Sequence, residues 1–97
     1  MSDEMFEWDE NKNKSNFQKH GISFNEAQTV FSDDLAIYLA DDEHSEIEER
    51  FIVIGESART RLLVVCHCYR ESETVIRLIS ARKAEKPEIE LYYGGLF

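Results

Sequence analysis

Hydrophobic and polar positions change their spacing once along this chain, near residue 35. Before it, apolar residues recur at helical intervals; after it, they gather in short runs. Met5-Phe6-Glu7-Trp8 reads as a brief strand-like start. Asp9 then suits an N-cap, Glu10 to His20 a polar helix, and Gly21 its C′ residue. Phe17 is the one clear apolar anchor of that helix, which places the helix on the surface. Lys12, Asn16, Lys19 and His20 are spaced to share a helix face. Ser23-Phe24-Asn25-Glu26 has the form of a capping box, and Phe24, Ala27, Val30 and Phe31 follow as an apolar stripe at helical period. A second, short helix docked on the core is predicted there, stopped by Asp33-Asp34.

The remainder is β-like. Leu35–Ala40, Phe51–Ile54, Leu62–Tyr69 and Val75–Ala81 read as four strands with hairpin-sized links. A four-stranded antiparallel meander is the economical topology. Pro87 suits the first turn of a last helix, with Ile89, Tyr92 and Tyr93 able to pack and Gly94-Gly95 to end it. The expected class is α+β. Two of these strands, Leu62–Cys66 and Val75–Ile79, are apolar on both pleat faces. A sheet with one wet face alternates, so the second face needs a cover: helices, a partner or a cleft.

Composition adds bounds. With 97 residues, 42% of them hydrophobic, the chain fits one domain, 1–97, that buries roughly two-thirds of its unfolded surface. No apolar run reaches the roughly 18 residues of a membrane span, and no signal-peptide pattern opens the chain. A cytoplasmic protein is expected. Cys66 and Cys68 flank His67 on a predicted strand. The histidine points to the face opposite the two thiols, so the three do not converge on a metal ion. A disulfide between extended i,i+2 residues is disfavoured as well, their Cα atoms lying about 6.5–7 Å apart with parallel side chains. The acidic run Asp41–Glu46 lacks the spacing and the glycine of a calcium loop. No metal or cofactor is expected.

Charge is split. The net charge is −9, yet residues 1–49 hold 14 acids and 3 bases while residues 50–97 hold 6 acids and 8 bases. The overall field repels nucleic acid, and a local basic site in the second half stays open. Arg50, His67, Tyr69, Arg77 and Arg82 are the polar residues set in or beside the apolar strands. Arg77, within Val-Ile-Arg-Leu-Ile, is the least natural of them, since a buried guanidinium needs a partner.

The ordered pieces Phe6-x-Trp8-Asp9, Lys12, Asn16, Lys19-His20-Gly21, Phe24-x-x-Ala27, Val30-Phe31-x-Asp33, Glu49-Arg50, Gly55, Leu63-Val64-Val65, Ile76-Arg77-Leu78-Ile79-Ser80-Ala81-Arg82-x-Ala84, Glu88 or Glu90, and Tyr92 run nearly end to end. In this set the chain resembles the BrnT family, toxins of type II toxin–antitoxin modules. The resemblance implies a compact RelE-like fold, a curved antiparallel sheet with helices on one side. It also implies an endoribonuclease that arrests translation. Its cognate antitoxin would be BrnA-like, with a ribbon-helix-helix DNA-binding end, and the complex a heterotetramer that represses its own operon.

Such an enzyme needs proton movers and cations for a strained phosphate, and no metal. The candidates are Arg77 and Arg82 for phosphate clamping, His67 or His20 for proton transfer, and Arg50 and Tyr92 beside them. Lys12, Lys19 and Lys83 are candidate RNA contacts. Arg77 and Arg82 are five residues apart, so a regular strand points them to opposite faces unless a bulge or the strand end realigns them. Each candidate has a plainer reading. Arg50 and Arg77 can be structural ion pairs, Arg82 surface charge, the Lys12–His20 face a solvated helix surface, and Tyr92 packing. The alternative function is a catalytically inactive antitoxin-binding co-repressor.

Overall fold

The computed structural model describes residues 5–44 and 48–94. Strands β1 (Met5–Glu7), β2 (Ile37–Ala40), β3 (Phe51–Glu56), β4 (Leu62–Arg70) and β5 (Val75–Lys83) form one sheet in the order β1-β5-β4-β3-β2. Helices α1 (Glu10–His20), α2 (Phe24–Ala27, continued by a 3-10 turn over Gln28–Ser32) and α3 (Lys86–Tyr93) complete the described α+β fold. The predicted meander is present as β2 to β5, all antiparallel. The sheet has a fifth strand that the pattern left uncertain. β1 adds to β5 in parallel, pairing Met5 with Val75 and Glu7 with Arg77. Three residues carry too little periodicity to announce a strand; the exposed edge of β5 supplies the reason for it.

Local signals explain the helices. The Asp9 carboxylate accepts from the Asn11 N–H at 2.8 Å, and Gly21 closes α1 at φ +72°, where a side chain is strained. Ser23 caps α2 as predicted, its Oγ accepting from the Glu26 N–H at 3.1 Å. The other half of the capping box is diverted: the Glu26 carboxylate goes to Arg61 and to Ser57. Burial and this pairing agree, since Glu26 is only 7% exposed. The Arg61 hydrogen bonds hold its carboxyl below the usual range against desolvation.

The core lies between the sheet and the N-terminal helices. Ile22, Phe24, Ala27 and Val30 pack on Val53, Leu63, Val65, Ile76, Leu78 and Ala81. A Cβ on Gly55 would stand 3.1 Å from the Val30 carbonyl oxygen and 3.2 Å from its Cβ. Glycine there lets the 3-10 turn rest directly on β3. Phe17, the expected anchor of α1, is 57% exposed, and the buried residue of that helix is Asn16.

One irregularity in the β4–β5 ladder sets which side chains share a face. In the β4–β5 ladder Cys66 faces Ser80, but His67 faces Leu78, so Ile79 is an extra residue in β5. This bulge reverses the alternation between Leu78 and Ala81, both of which point into the core. Arg77 pairs with Cys68 and Arg82 with Val64. The two arginines therefore share the face away from the core, roughly 13 Å apart along the strand. That second face is covered in part, with α3 packed against β3 and Ile54 and Cys68 almost fully buried.

Candidate nucleic-acid interface

Two depressions meet at the β5 bulge. The first, about 340 Å³, lies on the sheet face away from the core and is lined by Asp41, Glu43, Arg50, Ile52, Val64, Cys66, Ile79, Ser80 and Arg82. The second, about 300 Å³, is lined by Lys12, Ser15, Asn16, Lys19 and His20 of α1, and again by Ile79 and Ser80. The shared bulge residues make one track from the cationic face of α1 to the two arginines.

Each end of the track has its own electrostatics. Both terminal nitrogens of Arg82 donate to the Glu88 carboxylate of α3, at 3.0 and 3.1 Å. This raises the Arg82 pKa above its ordinary value and lowers that of Glu88. Glu88 also accepts from the Glu85 N–H at 2.7 Å, so the start of α3 and the guanidinium are organised by one carboxylate. Arg50 lies 3.9 Å from Glu48. Cys66 leans on Asp41, with Sγ–Oδ2 at 3.8 Å. Burial, reinforced by the Asp41 charge, pushes this thiol up to about 11, which makes it a poor nucleophile near neutral pH. At the other end, Lys12 and Lys19 are exposed and His20 is half-buried.

The structure gathers Arg50, Arg82, Lys12, Lys19 and His20, and sets the other candidates elsewhere. His67 is fully buried on the core face of β4. Phe31, Tyr38, Phe51 and Tyr69 surround its ring at centroid distances of 4.9 to 6.3 Å. Its Nδ1 lies 3.2 Å from the Val65 carbonyl and its Nε2 3.4 Å from the Tyr69 hydroxyl. Desolvation lowers its pKa, so the neutral ring is favoured. It fills an aromatic core and does not line the track. Arg77 donates to Glu7 of β1 at 2.8 Å, an ion pair between register partners that secures the parallel strand. Tyr92 donates to Asp33 at 2.5 Å and latches α3 to the 3-10 turn. Burial and the Asp33 charge raise its pKa, so it keeps its proton. Lys83 pairs with Leu63 and projects to the face opposite Arg82. Two wall residues, Asp41 and Glu43, escaped the sequence reading because their acidic run looks like any solvated loop; the part at 45–47 lies outside the described residues.

A family model described as the ribonuclease toxin BrnT of type II toxin–antitoxin systems matches residues 8–88, most of the chain and all of the track. The chain belongs to this family. The BrnT assignment agrees with a solved structure, that of the Brucella abortus ribonuclease toxin BrnT. It is similar at 25% identity with a TM-score of 0.65, over 84% of this chain and 99% of the Brucella chain. No curated protein matches. The BrnT family is one of ribonucleases, so the cationic track lies in a fold used for RNA cleavage. No helix among the described residues is long and apolar enough to cross a membrane.

Proposed function

We propose that this BrnT-family chain is a metal-independent endoribonuclease that cuts single-stranded RNA across the β5 bulge and thereby stops translation. The observation that carries the reading is the meeting of the two cationic groups at Ile79 and Ser80. An RNA strand laid on the track places one phosphate at Arg50 and Arg82 and its neighbour along Lys12 and Lys19. Guanidinium forks match the non-bridging oxygens of a phosphate in bidentate fashion and stabilise added charge as the phosphorus becomes five-coordinate. The ribose 2′-oxygen attacks the adjacent phosphorus, its proton passes to a base, and the bond to the 5′-oxygen breaks as that oxygen gains a proton. The products are a 2′,3′-cyclic phosphate and a 5′-hydroxyl. His20 is the proton mover of this reading, being the imidazole that lines the track among the described residues. Asn16 and Ser80 border it.

On this reading the fold is a RelE-like one, and the acidic first half of the chain suits a basic partner. A BrnA-like, ribbon-helix-helix antitoxin would cover the track, with two toxins joined through an antitoxin dimer in the cytoplasm. DNA would then be reached only through the antitoxin. A second reading, an inactive co-repressor, is favoured by one observation. Glu88 occupies Arg82, and Asp41 and Glu43 line the same depression, which opposes an anionic ligand. Cleavage of a defined single-stranded RNA in EDTA separates the two. Wild type cutting and Arg82→Ala failing supports the enzyme; no cutting by wild type, with or without ribosomes, supports the co-repressor.

A further inference from the structure

Asn16 is the buried residue of α1. It stands on the polar face of α1, yet is only 7% exposed. Its Nδ2 donates to the Ala81 carbonyl at 2.8 Å and to the Ile22 carbonyl at 2.9 Å, and its Oδ1 accepts from the Ala81 N–H at 3.0 Å. An amide that exchanges a donor and an acceptor with one backbone residue imitates a hydrogen-bonded strand neighbour. That imitation is needed at this point. β1 pairs with β5 only from Val75 to Arg77, so the edge of β5 beyond the bulge has no strand beside it among the described residues. Asn16 takes that place two residues past the bulge residue Ile79. Its third bond grips the turn after Gly21, the residue that follows His20.

An apolar residue would bury the helix as well, but only an amide fixes its translation and rotation against the β5 backbone. We infer that Asn16 is a positioning residue. It holds α1 in register with the β5 bulge, so that His20 faces the phosphate clamped by Arg50 and Arg82. This rests on the ribonuclease reading above. Displacing a proton mover by about 1 Å is enough to cost on the order of 100-fold in rate.

The test compares wild type, Asn16→Asp and Val30→Ala. The aspartate keeps the shape and the acceptor but turns an oxygen toward two carbonyls. Val30→Ala lowers stability from a core position that does not line the track. Assayed while folded, Asn16→Asp should lose about 100-fold in kcat with KM held within about threefold, and Val30→Ala should keep kcat within about threefold. Equal losses in both variants, or a loss confined to KM, overturn the proposal. Should the aspartate fail to fold, Asn16→Gln carries the same comparison, because it keeps donor and acceptor on a longer stem. A readout independent of cleavage is the His20 ring resonance, compared between wild type, the uncharged Asn16→Gln and Val30→Ala. It should move in Asn16→Gln and stay in Val30→Ala; an unmoved resonance overturns the positioning role while wild-type cleavage stands. Wild type that cuts no RNA overturns the ribonuclease reading instead, and a moved resonance would still support the clip.

Discussion

Arg82 and Arg77 share a strand, a charge and a sheet face, and the structure gives them different partners. Arg82 lines the track and Arg77 is tied to Glu7. Arg82→Ala should therefore lower kcat/KM by about 10²–10³, the usual loss for one transition-state charge partner. Arg77→Ala should leave it within about threefold and remove at most about 1 kcal/mol of stability, as expected of a part-exposed ion pair. Steady-state cleavage and thermal melts check both. His20→Gln should cost about 10²–10⁴ in rate, the span of general acid–base catalysis, whereas His67→Phe should still cut. His67 has a second signature. Its folded pKa lies below the ordinary 6.5 because burial disfavours the charged ring. The unfolded chain then binds the extra proton first, so this contribution is fully present above pH 6.5. It is lost as pH falls from there through the lowered folded value. Wild-type stability should drop across that window, and His67→Phe should flatten the drop; denaturant midpoints measured against pH decide it.

Among the elements, α3 is the one held by few ties. None of its described residues is fully buried, and Ile89 and Leu91 are 41% and 49% exposed. It is fastened by Glu88 on Arg82 at one end and by Tyr92 on Asp33 at the other. A phosphate that takes the two terminal nitrogens of Arg82 displaces Glu88 from them. Glu88→Gln should therefore tighten binding of a non-cleavable single-stranded RNA several-fold, roughly the 1 kcal/mol scale of a part-exposed ion pair. Binding that weakens instead would make Glu88 a support for Arg82 rather than its competitor. The elements also show how far the pattern could be read. The bounds of α1, Glu10–His20, were legible because Asp9 and Gly21 are strong local signals. β3 to β5 were legible to within two residues, because long apolar runs end at turns. β1 was not, since a parallel edge strand is decided by its neighbour's open hydrogen bonds and not by its own three residues.

At the scale of the whole molecule, the charge division of the sequence does not become two separate poles. Lys12 and Lys19 of the acidic half join Arg50 and Arg82 of the basic half at one bulge, while Asp41 and Glu43 come with them. The α2 end of the fold is locked by another contact between distant parts of the sequence, Arg61 on the buried Glu26 carboxylate and on the Gly21 carbonyl. Arg61→Ala leaves that buried carboxylate its Ser57 hydrogen bond but not its counter-charge, and should remove about 3 kcal/mol, the lower end for breaking such a pair. Chemical denaturation measures it, and a loss below about 1 kcal/mol would show that water reaches Glu26.

The sequence by itself determined the α+β class, the succession of elements, the family, and the list of cations from which a site could be drawn. These depend on local period, caps and ordered motifs, all of which are read within a few residues. The tertiary structure decided which cations meet. Residue parity alone puts Arg77 and Arg82 on opposite faces, and a helix of polar residues gives Asn16 no reason to be buried. Both outcomes depend on one extra residue, Ile79, whose effect exists only in pairing with β4, and on backbone groups of Ala81 that only a distant side chain could satisfy. Hydrogen-bond demand across the sheet is a property of the folded neighbourhood, and no window of the sequence contains it.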